Sequence, residues 1–238
     1  MIENLPFSLI VVTCIITVLA GMMMTYAFVR GHHRAQQRAH LFALALLGWS
    51  IFQATLALNR WFMDKKTGTG HLLFPILFSS VLILLLAFTP RGARFLRALR
   101  PSWLYSLQYL RIPIASMFYI LATWKQTPWE MTFYGMNFDI AFGVLALICM
   151  PIFPKKKSKY KLAFSVFNIV GIASIVWQYI LVLGSVPSDS QWLGLTQPNY
   201  AATHFPYGWF VTVIFPLILA SNVALLVQNL THHEKPVL

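Results

Sequence analysis

The reading of the fold turns on Trp103–Phe153, WLYSLQYLRIPIASMFYILATWKQTPWEMTFYGMNFDIAFGVLALICMPIF. Two long apolar runs flank a short aromatic connection, and Arg111 and Asp139 are charges that fall inside those runs. A full charge near the middle of a bilayer costs at least about 2.5–3.5 kcal/mol, so it survives with a partner or with water. Arg111 therefore calls for a neighbour, and Asp139 is the nearest candidate. Gln108 lies three residues before Arg111, on the same helical face, and Pro113 loosens the backbone ladder just beyond them. Asn137 and Asp139 are two apart and share a helical face only if a helix starts between them. Asp139 then reads either as a charge favoured at a helix N-terminus or as the ion-pair partner of Arg111.

Outward from this stretch the same pattern repeats. The chain has 238 residues, 58% hydrophobic and 10% charged, against about 45–50% and about 25% in soluble domains. Runs near the roughly 20 residues needed to cross a bilayer occur at Phe7–Val29, Leu41–Phe62, His71–Thr89, Trp103–Ala122, Thr132–Phe153, Leu162–Val186 and Phe205–Leu230. They are too long and uniformly apolar for barrel strands. The expectation is an all-α integral membrane bundle of seven transmembrane helices, one domain over residues 1–238.

Charge supplies the orientation. Arg30, Arg34 and Arg38, then Arg91, Arg94, Arg97 and Arg100, then Lys155, Lys156, Lys157, Lys159 and Lys161 sit in alternate connections, and they account for the whole net charge of +12. That asymmetry is the positive-inside signature, with the N-terminus outside and the C-terminus cytoplasmic. It argues against a nucleic-acid partner and for anionic membrane headgroups at the Arg and Lys loops. Within Arg91–Arg100 the arginines recur every three residues between Phe95, Leu96, Ala98 and Leu99, a basic stripe beside an apolar one on a helix lying in the headgroup layer.

Two aromatic outer loops carry Glu130, Tyr134, Asn137, Asp139, Asn199, His204 and Tyr207. Above Arg111 they suggest a lid over an outward-facing polar site, and the second loop is the longest connection in the chain. Known seven-helix classes fit poorly. A retinal Schiff base needs a lysine in the last span, and none lies between Leu162 and His233. The zinc hydrolases need clustered histidines, whereas the embedded region offers His71 and His204. His32, His33, His40, His232 and His233 lack a joining carboxylate or thiol, so no metal site is expected. No cofactor is legible.

The stretch Met131–Ile140, the segments Pro198–Ala201 and Phe205–Trp209, Pro216 and the Gln108-x-x-Arg111 spacing resemble an uncharacterised family of small multi-spanning bacterial proteins. The likeness covers the second half of the chain. It implies the bacterial inner membrane and no known activity. Members often carry an arginine where this chain has Met136 and a glutamate where it has Ala115, which removes one partner for Arg111.

The expected function is binding or transport of a small anionic or amphipathic molecule at the outward-facing site around Arg111. The substrate-binding set is Arg111, Asp139, Asn137, Gln108, Glu130, Tyr134, Asn199, His204 and Tyr207. An alternative is an intramembrane enzyme acting on a lipid or isoprenoid with Asp139 or Glu130 and His204 as acid and base. A structural subunit of a membrane complex is another, and a homo-oligomer fits as well.

Overall fold

The computed structural model describes residues 5–28, 33–64, 66, 68–149 and 159–230. Arg30, Lys155, Lys156 and Lys157 of the basic connections lie outside the described residues, as do His32, His232 and His233. Among the described residues the chain is helical without strands: α1 (Phe7–Phe28), α2 (His33–Leu58), α3 (Gly68–Phe88), α4 (Pro90–Ala98), α5 (Pro101–Tyr109), α6 (Arg111–Thr123), α7 (Asp139–Cys149), α8 (Lys161–Ser185) and α9 (Phe215–Leu230). Among the described residues five helices are long and apolar enough to cross a membrane: Phe7–Phe28, Ala39–Leu58, Thr69–Phe88, Lys161–Ser185 and Phe210–Leu230. In the most apolar 18 residues of each, 83% are buried in the last and 11% in the second. α9 is thus the bundle's axis, packed by α1, α3, α4, α5 and α8, while α2 leans on its outside.

Two of the seven expected helices take a different form. The fourth is broken into α5 and α6 at Leu110, whose N–H reaches Leu107 O (3.3 Å) instead of a full α-helical partner. Pro113 explains the position: it has no N–H for the carbonyl of Tyr109 and its ring crowds that carbonyl. The ladder resumes with Ile114 N donating to Leu110 O (3.1 Å). The fifth begins at Asp139 instead of Thr132, because Asn137 Oδ1 accepts the Asp139 N–H (2.9 Å) and sets the start.

The seventh run opens with a π-helical turn, Phe210–Ile214, before α9. Pro216 cannot donate to Thr212 O, and that carbonyl accepts the Trp49 indole N–H instead (2.9 Å). Trp209 answers from the other side, donating to Ser50 O (3.0 Å). These two indoles tie the loosely seated α2 to the bundle. Trp49→Phe should leave the Thr212 carbonyl without its donor and cost about 1 kcal/mol, read as a lower melting temperature in detergent.

α4 is a separate short helix for local reasons. Thr89 Oγ1 caps it by accepting from Gly92 N (3.2 Å), and Pro90 occupies its first turn. It stops before Arg100 because a residue preceding proline, here Pro101, avoids the helical region. Gln228 of α9 donates from Nε2 to Leu96 O (2.9 Å) and Leu99 O (3.0 Å), fixing α4 across the basic end of the bundle. Arg91, Arg94 and Arg97 stay exposed, while Leu96 and Leu99 face the core.

Candidate functional site

The break at Leu110 puts Arg111 at the first position of α6, fully buried. Its Nη1 donates to Asp139 Oδ1 (2.6 Å) and to Ser174 Oγ (3.1 Å), its Nη2 to Gly171 O (3.1 Å) and its Nε to Gln108 Oε1 (3.0 Å). Ser174 Oγ also donates to Asp139 Oδ1. The Phe142 ring lies 5.1 Å from the guanidinium carbon, a further contact for the cation. Gln108 Nε2 continues the network to Ser221 Oγ (2.5 Å). One guanidinium therefore bonds side chains or backbone of α5, α7 and α8 from α6, and α9 joins through Gln108.

Close approach makes this possible. A Cβ on Gly171 would stand 2.7 Å from Asn222 Oδ1 and 3.2 Å from the Phe142 ring, so glycine keeps its carbonyl within reach of Arg111. Asp139 combines the two roles open from sequence: it pairs with Arg111 and stands in the first turn of α7, where a carboxylate is favoured. Asn137 adds the next link, accepting from Gln178 Nε2 (2.7 Å) and donating to Met131 O (2.9 Å).

Four sequence-derived candidates thus come together: Arg111, Asp139, Asn137 and Gln108. The other five serve elsewhere. Asn199 is a knot between the outer loops: its Oδ1 accepts from Thr127 Oγ1 (3.1 Å) and Ala202 N (3.2 Å), and its own N–H donates to Ser185 O (2.8 Å). With Ala201 N on Gln126 O (2.9 Å) and Gln197 Nε2 on Thr127 O (2.6 Å), the two loops form an interlocked cap. Tyr207 is buried with no hydroxyl partner among the described residues. Tyr134 is exposed, its ring tilted against that of Phe133 (4.6 Å between centroids). Glu130 is half-buried beside them in the turn Trp129–Met131.

His204 meets Tyr200 O through Nδ1 (2.7 Å) and shares no hydrogen bond with Asp139 or Glu130. Burial holds its pKa below the ordinary histidine value of about 6.5, with the Arg60 charge adding to the effect and the Tyr200 hydrogen bond opposing it. A histidine kept neutral binds fewer protons folded than unfolded, so its contribution is complete above about pH 6.5 and is lost as pH falls through the folded value. The melting temperature should accordingly drop between pH 7.5 and 5, and His204→Gln should flatten that drop.

The candidate set read from sequence did not include Gly171, Ser174 and Gln178. Their spacing of three and four places them on one face of α8, a periodic signal within the otherwise apolar sixth run.

A second feature lies toward the basic end. A cavity of about 300 Å³ opens between α1, α2, α3, α4 and the last helix. Its walls include Phe42, Trp49, Phe78 and Leu217, and its floor is Phe95 and Leu96 of α4 with Leu99 just beyond its end. Phe28 stacks on Phe42 (4.3 Å) at one end, and Trp49 on Phe78 (5.3 Å) at the other. The volume is at the lower edge of the about 300–1,000 Å³ range of small-molecule sites. Comparison with family models, curated proteins and solved structures finds no match to this chain. Among the described residues, fold and site define a helical protein with five helices long and apolar enough to cross a membrane, a buried ion-pair hub and an apolar cavity beneath a basic amphipathic helix.

Proposed function

We propose that this is a noncatalytic protein of the bacterial inner membrane that binds or carries an amphipathic molecule with an anionic head. In this reading the chain crosses the bilayer seven times, from an external N-terminus to a cytoplasmic C-terminus. The five long helices are joined by the broken pair α5 and α6, together roughly 34 Å at 1.5 Å per residue. The apolar helix α7, Asp139–Cys149, belongs to the remaining crossing.

One observation carries the proposal: α4 and its C-cap Leu99 give Phe95, Leu96 and Leu99 to an apolar cavity while α4 exposes Arg91, Arg94 and Arg97. A hydrocarbon tail in the cavity puts a negative head within reach of three guanidinium groups, each able to hold phosphate by paired hydrogen bonds. Arg111 has a different part here. Four of its five N–H groups are committed within the chain, so it braces the bundle and leaves recognition to α4.

The test is ligand retention. Ala45 lines the cavity from α2, and Ala45→Trp should reduce copurified anionic amphiphile, read by native mass spectrometry, at least about tenfold. The triple change of Arg91, Arg94 and Arg97 to Gln should reduce it similarly. Retention unchanged in both variants overturns the reading.

A further inference from the structure

We infer that the bound molecule is a two-chain anionic lipid that straddles α3, with one chain in each of two grooves and its headgroup over α4. This rests on the reading of α4 given above and adds a second observation. On the other side of α3 a separate apolar groove of about 480 Å³ runs between α3, α4, α8 and α9. Ser79, Leu82 and Leu86 of α3 line the first cavity, Ser80, Leu84 and Ala87 line the second, and Ile83 belongs to both. α3 is therefore the partition between them.

Both grooves converge on α4. Phe95, Leu96 and Leu99 close the first, and Ala93 borders the second. The two Gln228 hydrogen bonds hold α4 in this bridging position. Its exposed arginines, three residues apart, stand on the same short helix whose apolar residues border both grooves. A single-chain amphiphile would satisfy one groove and leave the other to bulk lipid. A molecule with two hydrocarbon chains on one negatively charged head matches both grooves and the basic stripe at once, with the partition helix between its chains. Apolar contact alone would not choose the head, but three exposed cations favour an anionic one.

The experiment titrates the delipidated full-length protein in mild detergent with three probes: dioleoylphosphatidylglycerol, its single-chain lyso form, and dioleoylphosphatidylcholine. Affinity is followed by native mass spectrometry and by thermal shift. The two-chain anionic lipid should bind at one copy per chain and about tenfold or more tighter than either other probe. Ala45→Trp in the first groove and Ala87→Trp in the second should each bring it down to the level of the lyso form. The melting temperature of each ligand-free variant serves as the folding control.

Lyso and two-chain forms of equal affinity would overturn the straddling arrangement and leave the anionic-amphiphile reading standing. So would an Ala87→Trp variant that folds and binds the two-chain lipid normally. Equal binding of phosphatidylcholine and phosphatidylglycerol would sink the reading itself, and the inference with it.

Discussion

Asp139→Ala should lower the unfolding free energy by about 3–5 kcal/mol, the usual cost of leaving a buried charge without its partner. Arg111 is fully buried and Asp139 is its acidic partner, at 2.6 Å. Removing the carboxylate leaves Ser174 Oγ, Gly171 O and Gln108 Oε1 as neutral acceptors around a full positive charge. Asp139→Asn retains an acceptor oxygen and should fall between the two. The double variant Arg111→Met with Asp139→Leu removes both charges, and it should recover most of the loss because an apolar pair of similar volume tolerates burial. Unfolding in a denaturing detergent titration measures all three. Unchanged stability and expression in Asp139→Ala would show that the pair is incidental.

Gly143→Leu should be nearly as damaging, at about 3 kcal/mol, through overpacking and through displacement of the ion pair. A Cβ at Gly143 would stand 2.6 Å from Ile112 Cγ1, 3.2 Å from Ile112 N and 3.3 Å from Arg111 Cβ. Only glycine lets α7 approach the start of α6 so closely. Asp139 is one helical turn before Gly143, so pushing α7 outward also draws the carboxylate away from Arg111. The two effects share a cause, and a double-mutant cycle should show it. In the Asp139→Ala background, Gly143→Leu should cost distinctly less than it does alone, whereas strict additivity would mean that the close approach and the ion pair are independent.

The hub was legible where energy forces a conclusion. A lone arginine in an apolar run needs a counter-charge, which pointed to Asp139, and helical spacing pointed to Gln108. The two-residue offset of Asn137 and Asp139 left a helix start between them open, although the fifth run was drawn from Thr132, and the helix begins at Asp139. Ser174 and Gln178 stayed outside the candidate set because a polar residue inside an apolar helix commonly bonds its own backbone, as Thr13 and Thr17 do here. Only packing of α8 against α7 separates the two outcomes.

The outer loops were harder for a related reason. Their composition suits an open vestibule as well as a closed cap, and the choice depends on pairings such as Gln197 with Thr127, 70 residues apart. Pro113 and Pro216 marked where helices must yield, but not that one site would break at Leu110 while the other would widen into a π turn. The cavities depend on how far α2 and α3 stand from α9, a matter of side-chain volumes across four helices. From the sequence α4 was visible as a basic amphipathic stripe, without the apolar space beneath it.

The most direct test of this account is a density map of the protein in nanodiscs containing phosphatidylglycerol. The account predicts elongated density between Trp49, Phe78 and Leu217, rising to a headgroup beside Arg91, Arg94 and Arg97, with Arg111 still bound to Asp139. A ligand lying against Arg111 with Asp139 drawn away, and only detergent or bulk lipid at α4, would contradict it.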